Sequence, residues 1–411
     1  MKSRLPFVFI ILTVIIDAIG VGLIMPVTPD LVKELTGNDI SGAALWGGAL
    51  MFSFAIMQFL FMPIVGNLSD RFGRRPVLLI SLFAMAVDYL LHGLAGSIWL
   101  LFVARLIAGV LGATYTTAMA YLADISARED RAANFGLVGA AFGIGFILGP
   151  AMGGLLGELG TRAPFYAAAV LALGNAILGY FVVKESLTPE NRRPFEWKRS
   201  NPFGALMRLR TLPALKGLVV IVFIFDIANF VYPAIWSYFT IERFSWSTGM
   251  VGVSLSAYGI GVAIMQGGLM RPMITHWGER RVAEIGFAAA VLAAIVLAVI
   301  NQGWQVFAFM PLIAVSGIAG PAISGMMANR VGDDEQGELQ GVLGSLSSVG
   351  MLLSLAIMPI TFQYFTKPDT PLYMPGAPFI LTAVLTLVAL VMLFRVPRIE
   401  EVSAEKAQKP A

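Results

Sequence analysis

Residues Gly66 to Arg75 read G-N-L-S-D-R-F-G-R-R and lie between two long apolar runs. Asp70, Arg71, Arg74 and Arg75 crowd into its last six residues. A cationic loop this short between two membrane spans stays on the cytoplasmic side. Reading outward from it, the 411-residue chain is 57% apolar and only 13% charged. Soluble domains carry about 25% charged residues, so a membrane solvent is indicated. About 20 apolar residues cross the hydrocarbon core, and about twelve candidate spans fit. They centre near residues 17, 55, 86, 108, 144, 173, 226, 261, 291, 315, 350 and 385, and are called spans 1 to 12 here. The expected fold is an all-α membrane protein of twelve transmembrane helices.

The connections are short, with one exception. Residues 184–212 hold E-S-L-T-P-E-N-R-R-P and W-K-R-S-N-P and read as a linker between two halves, 1–183 and 213–395. A polar tail with interleaved Lys and Glu follows over 396–411, a composition typical of disorder. The first run is too long, and carries an internal Asp17, to be a cleavable signal peptide. With the N-terminus placed inside, about 23 of the 28 Lys and Arg fall in cytoplasmic segments and about four outside. That asymmetry puts both termini in the cytoplasm, and it makes the net charge of +3 a topology signal rather than a nucleic-acid footprint. The absence of Cys excludes disulfides and thiolate metal sites.

The chain repeats itself. A shift of about 205 residues lays R-F-G-R-R (Arg71–Arg75) on H-W-G-E-R (His276–Arg280). It also lays A-D-I-S-A-R-E-D-R (Ala123–Arg131) on A-N-R-V-G-D-D-E-Q (Ala328–Gln336), and Gly136 on Gly341. A slightly longer shift sets Asp17 opposite Asp226. Three matches in the same order predict two pseudo-symmetric six-helix halves. Parallel repeats of this kind hold substrate near the midplane and rock against each other.

A charge at the centre of a span costs roughly 2.5–3.5 kcal/mol, so such residues are functional candidates. Asp17 in span 1, Asp88 in span 3 and Asp226 in span 7, with Asn229 close by, all sit near mid-depth. Burial disfavours the ionised form of a carboxyl, which suits it to load and release a proton as its exposure alternates. The alternative for each is a structural hydrogen bond to a neighbouring helix. Arg105, a third of the way into span 4, needs a carboxylate or water; Asp17 is the first choice of partner and Asp88 the second. Gln266 in span 8 either faces substrate or bonds across helices. Glu284, just after Arg280 and Arg281, reads as interfacial, and His92 as a satisfied hydrogen-bonding residue.

Span 5 carries Gly145, Gly149, Pro150, Gly153 and Gly154. Small residues four apart let helices approach closely, and the proline can kink the helix. In the opening loop, an ion pair from Asp70 to an arginine would latch the cytoplasmic side in one state. The second copy has Thr275 for the aspartate and Glu279 for an arginine, so its latch is weaker.

The loop pattern G-x-x-x-D-R-x-G-R-R, at Gly66, Asp70, Arg71, Gly73, Arg74 and Arg75, resembles the signature between helices 2 and 3 of the major facilitator superfamily. The string G-x-x-x-G-P-x-x-G-G in span 5 resembles the motif of its proton-driven antiporters. Over nearly the whole chain the resemblance is to bacterial tetracycline/proton antiporters. It is carried by D-A-I-G-V-G-L-I-M-P (Asp17–Pro26), L-S-D-R-F-G-R-R-P-V-L-L (Leu68–Leu79), V-D-Y (Val87–Tyr89), G-A-T (Gly112–Thr114) and Q-G-E-L-Q-G (Gln336–Gly341). This implies transport roles for Asp17, Asp70, Asp88, Arg74 and Arg105, and Gln266 also matches. The family's span 8 histidine and span 9 aspartate are Val262 and Ala290 here, and the family ties those two groups to the metal-chelated drug and the proton. Asp226 stands where the family tends to be neutral. The aromatics Phe225, Phe230, Tyr232, Trp236 and Tyr238 near it would suit a lipophilic cation, or serve as packing.

The function expected is a proton-coupled exporter of amphiphilic small molecules or drugs in a bacterial inner membrane, acting as a monomer. Its partners are the substrate, protons and the bilayer, and no nucleic acid. An exporter or proton symporter of a metabolite shares the same frame, and a non-transporting sensor is the remote alternative. With two His, no Cys and no phosphate-binding loop, neither an enzyme nor a resident metal or cofactor is expected. The resemblance leaves a metal-chelated cargo open.

Overall fold

The computed structural model describes residues 5–207, 215–332 and 335–397. Part of the predicted linker and nearly all of the predicted tail lie outside these residues. The helices of the first half are α1 (Leu5–Ile24), α2 (Thr28–Thr36), α3 (Ile40–Phe72), α4 (Arg74–Leu94), α5 (Ile98–Leu111), α6 (Thr114–Ile125), α7 (Arg131–Leu159) and α8 (Ala163–Val182). The short α9 (Gly204–Met207) lies in the linker. The second half holds α10 (Lys216–Asn229), α11 (Val231–Phe244), α12 (Thr248–Ala263), α13 (Met270–Val299), α14 (Gly303–Ala308), α15 (Met310–Ser316), α16 (Ala319–Ala328), α17 (Gln336–Thr366) and α18 (Ala377–Arg395).

Eleven helical stretches are long and apolar enough to cross a membrane. The longest, Thr248–Val299, has 52 residues, more than twice what one crossing needs. Gly278, with φ 77° and ψ 158°, breaks it in two. The described residues therefore make twelve crossings, as the sequence predicts. Helix starts follow capping rules: Asp39 accepts from the Gly42 N–H (2.8 Å) to open α3, and Ser247 caps α12.

The glycines of span 5 form two seams. Gly145, Gly149 and Gly153 face the backbone of α1; a Cβ on Gly149 would lie 2.7 Å from the Ile19 carbonyl oxygen. Gly22 of α1 meets Pro150 in return. Gly154 faces the other half, where a Cβ would lie 2.8 Å from the Thr248 carbonyl. Pro150 sits within α7, which continues through it.

The lobes join at one end and part at the other. One apolar cluster, including Leu31, Ile98 and Phe165 of the first lobe and Phe239, Phe362 and Phe379 of the second, spans both at the end away from the termini. Nearer the termini the clusters belong to single lobes. There, Cβ atoms on Gly139 and Gly143 of α7, on Gly267 and Gly268, or on Gly344 of α17 would meet nothing within 4 Å. The molecule is closed at the far end and open at the terminus-bearing end.

The linker is tied to the first lobe. Glu185 accepts from the Arg74 and Arg75 N–H groups at 2.8 and 3.2 Å, capping α4. The Arg193 N–H donates to the Asp70 carbonyl (3.1 Å), and Asn67 donates to the Glu196 carbonyl (2.8 Å).

Candidate functional site

Asp88 of α4 and Arg105 of α5 form a buried ion pair. This corrects the expectation that Arg105 pairs first with Asp17. The cause is helical phase. Neighbouring side chains on a helix diverge by about 100°, so Asp88 turns into the α4–α5 interface while Tyr89 turns to α1. The Tyr89 hydroxyl sits over Gly20, where a Cβ would lie 2.7 Å away. The His92 Nδ1 lies 2.8 Å from the Asp88 carbonyl oxygen and the ring stacks on Phe165 at 5.6 Å, the satisfied role expected of it. The Arg105 guanidinium also lies 5.2 Å from the Phe54 ring centroid on α3.

Asp17 is left half-buried on α1 and makes no hydrogen bond among the described residues. Tyr89 lies within electrostatic reach of it. Three buried polar atoms around this region, Asp88 Oδ1, Tyr89 Oη and Arg105 Nε, have no hydrogen-bond partner.

In the second lobe Asp226 of α10 accepts a hydrogen bond from Ser347 Oγ of α17 at 2.6 Å. Asn229, expected beside it, is exposed at the end of α10. Gly350 permits this approach, since a Cβ there would lie 2.8 Å from Asp226 Cβ. Ser347 was not singled out in the sequence; the signal was G-S-L-S-S, small polar residues inside span 11. Of the nearby aromatics, Phe225, Trp236 and Tyr238 are buried in the cores. Phe225 packs on Phe287 (4.7 Å) and Trp236 donates to Ser254 (3.0 Å). These three are packing groups, which leaves Phe230 and Tyr232 only part-buried.

Four spans are irregular near mid-depth. Span 4 breaks at Gly112–Ala113 between α5 and α6, span 7 at Phe230, and span 10 at Gly317–Ile318 between α15 and α16. Span 8 carries a π-helical turn at Ile264–Leu269. A break frees carbonyls that apolar surroundings cannot satisfy. Glutamines take two of them. Gln266, in the π-turn, donates to the Gly317 carbonyl at 2.8 Å. Gln58 of α3 donates to the Gly112 carbonyl at 3.1 Å. The two bonds are counterparts in the repeat. Gln58 escaped the sequence reading, although the repeat places it opposite Gln266. Val262 lies against Gly317, 3.4 Å from where its Cβ would be, and Ala290 is buried on α13.

At the open end Asp70 and Arg74 form an ion pair at 2.6 Å, and Arg74 also reaches Asp124 of α6 at 3.2 Å. Arg71 lies over the Phe72 ring (5.1 Å). Gly66 borders open space. Glu284 bonds Arg280 at 3.0 Å. Among the described residues no group of three or more His, Asp or Glu is placed to hold a metal ion.

The Major Facilitator Superfamily family model matches residues 10–267 and 218–411. The chain is 40% identical over 395 residues to the tetracycline resistance protein, class C, of Escherichia coli, covering 96% of this chain and 98% of that protein. It is 28% identical over 366 residues to multidrug resistance protein 2 of Bacillus subtilis (strain 168), covering 88% and 90%. It also resembles the crystal structure of a bacterial homologue of the human lysosomal transporter Spinster, in an inward-facing and unoccupied conformation. The TM-score is 0.75 at 14% identity, over 96% of this chain and 97% of that one, a likeness of fold. Matched along nearly its whole length, the chain belongs to the Major Facilitator Superfamily.

Proposed function

We propose that this chain exports amphiphilic small molecules, drugs among them, in exchange for protons across a bacterial inner membrane. The supporting relatives are named for resistance to tetracycline and to multiple drugs. The observation that carries proton coupling is Asp17, a mid-span carboxyl without a hydrogen bond among the described residues. A structural carboxylate at that depth would have one. The Lys and Arg asymmetry puts the terminus-bearing end in the cytoplasm, so the cleft of this state opens inward. The lobes are 1–183 and 213–395, the linker 184–212 and the tail 396–411, and the transporter works as a monomer. Asp17 carries the proton. Asp88 and Arg105 hold the first lobe's polar cluster. Asp226, Asn229 and Gln266 are the second lobe's polar groups toward the cargo. Asp70, Arg71, Arg74 and Arg75 with Gly66 and Gly73 form the cytoplasmic gate.

With Val262 and Ala290 at the two positions where tetracycline exporters carry polar groups, cargo other than metal-chelated tetracycline is favoured. A drug-susceptibility panel in an efflux-deficient host, with and without tetracyclines, identifies the cargo. Substrate-induced proton release in proteoliposomes then tests the coupling. Asp17→Asn is expected to abolish it, and wild-type proton release in that variant would overturn the assignment.

A further inference from the structure

The closed end is held by two seams that are counterparts in the repeat. One joins α3 to α17. Thr366 donates to Ser41 Oγ at 2.9 Å, and Ser41 donates to the Gln363 carbonyl at 3.3 Å. Both bonds are neutral. The other seam joins α7 to α12, and it is charged. Glu158 Oε1 accepts from the Gly249 N–H at 2.8 Å and from the Thr248 hydroxyl at 3.4 Å. The carboxylate of one lobe thus caps the first turn of a 16-residue helix in the other. The first four N–H groups of a helix lack internal partners, and a negative charge there is favourable.

Two features show that this contact is built. Gly249 has no side chain in the way; a Cβ there would lie 2.8 Å from Glu158 Oε1. Gly154 and Gly157 bring α7 against Thr248, where a Cβ on Gly157 would lie 2.9 Å from the Thr248 hydroxyl oxygen. Opening this end has to part Glu158 from Gly249.

We propose that Glu158 is a proton-released latch on the far end of the transporter: ionised, it holds the lobes shut, and protonated, it lets them part. A protonated carboxyl keeps an acceptor oxygen but loses the charge that the helix N-terminus attracts. The sign follows. The bonds that Glu158 accepts favour its ionised form, so the closed end is favoured above the ordinary glutamate range and the latch is lost as pH falls below it. The charged groups around it are Asp30 and Lys33 of α2, with the Glu34–Arg162 pair (2.7 Å) at the same end. Burial holds Asp30 above the usual carboxylate range, Lys33 opposes this, and the Glu158 charge adds to it. Protonating Glu158 therefore also relieves a like-charge contact. Its physiological meaning rests on the proposed proton-driven export, in which this end faces the proton-rich side.

The chain has no Cys, so paired labels are introduced cleanly at exposed Asn38→Cys and Asn301→Cys, one on each lobe at this end. Distances between spin labels are measured in nanodiscs without substrate or gradient, at about pH 8 and about pH 3, on either side of the usual carboxylate range. In the parent, acid should raise the long-distance population. Glu158→Gln should show that population at both pH values, about three- to tenfold above the parent at pH 8. Gly249→Ala displaces the carboxylate without touching the acid, and should also raise it at pH 8. An acid response of parental size in Glu158→Gln, or Glu158→Gln and Gly249→Ala both as closed as the parent at pH 8, overturns the latch. Because no gradient or cargo is used, Asp17→Asn should keep the acid response while losing proton exchange, so failure of the latch and failure of the export reading give different results.

Discussion

The loop at Asp70–Arg75 and its counterpart at Thr275–Arg280 share a frame and differ in charge. In each, a glycine with positive φ turns the chain, Gly73 at 109° and Gly278 at 77°. Two residues on, an arginine ties down the last helix of its lobe. Arg75 donates to the Val183 and Tyr180 carbonyls at 2.7 and 2.8 Å. Arg280 donates to the Val396 and Leu393 carbonyls at 2.7 and 3.0 Å. The residue between reaches the same neighbour, Arg74 to Asp124 at 3.2 Å and Asn329 to Glu279 at 2.8 Å. Only the first loop adds the Asp70 ion pair; Thr275 turns its hydroxyl back to the Arg271 carbonyl (3.0 Å). The anchoring is needed in both lobes because it ends a six-helix unit. If the Asp70 ion pair is the cytoplasmic latch proposed above, one copy suffices, because a single gate would serve the cleft.

The glycines give the largest expected difference. Both sit in a backbone region that is nearly glycine-only, where other residues cost about 1–3 kcal/mol. A Cβ on Gly73 also runs into the Glu185 carboxylate that caps α4, whereas Gly278 borders open space. Thermal unfolding in detergent should show Gly73→Ala losing roughly 3 kcal/mol and Gly278→Ala about half of that. Equal losses would mean that the Glu185 cap contributes nothing.

A smaller effect separates the latches. Asp70→Asn should lower turnover about tenfold, equivalent to about 1.4 kcal/mol, with substrate affinity in detergent nearly unchanged. Thr275→Ala should leave both within about twofold, a change of under 1 kcal/mol. Loss of binding in Asp70→Asn with normal gating would contradict the latch.

The subtlest prediction rebuilds one loop as the other. Arg74→Glu with Asp124→Asn copies the Glu279–Asn329 contact into the first lobe. Part-exposed ion pairs contribute about 0–1 kcal/mol, so the melting temperature should hardly move while transport falls as in Asp70→Asn. A collapse in expression would show that the two frames are not interchangeable.

Depth along the membrane was legible in the sequence; direction around each helix was not. Runs of apolar residues and the cationic loop placed twelve spans, and the match of Gly73 with Gly278 announced the shared frame. Asp17, Asp88 and Asp226 were found because a charge inside an apolar run is conspicuous. Ser347, which bonds Asp226, is an ordinary residue in an apolar helix and gives no such signal; that Arg105 meets Asp88 ahead of Asp17 is not legible either, because Asp88 and Tyr89, adjacent in sequence, face different helices. The helix breaks were also hidden. Gly112 and Gly317 announce flexibility, but only their glutamine partners show where the ladder stops.

Those glutamine bonds bear on selectivity. With Gln58 and Gln266 already donating to the carbonyls of Gly112 and Gly317, each acceptor freed by the broken helices has one of its two lone pairs occupied. A donor on a guest can add at most one bond at each carbonyl, on the lone pair the glutamine leaves. Under the proposed export, little hydrogen-bonding capacity is left at these two sites, so shape and apolar contact would weigh more in recognition there.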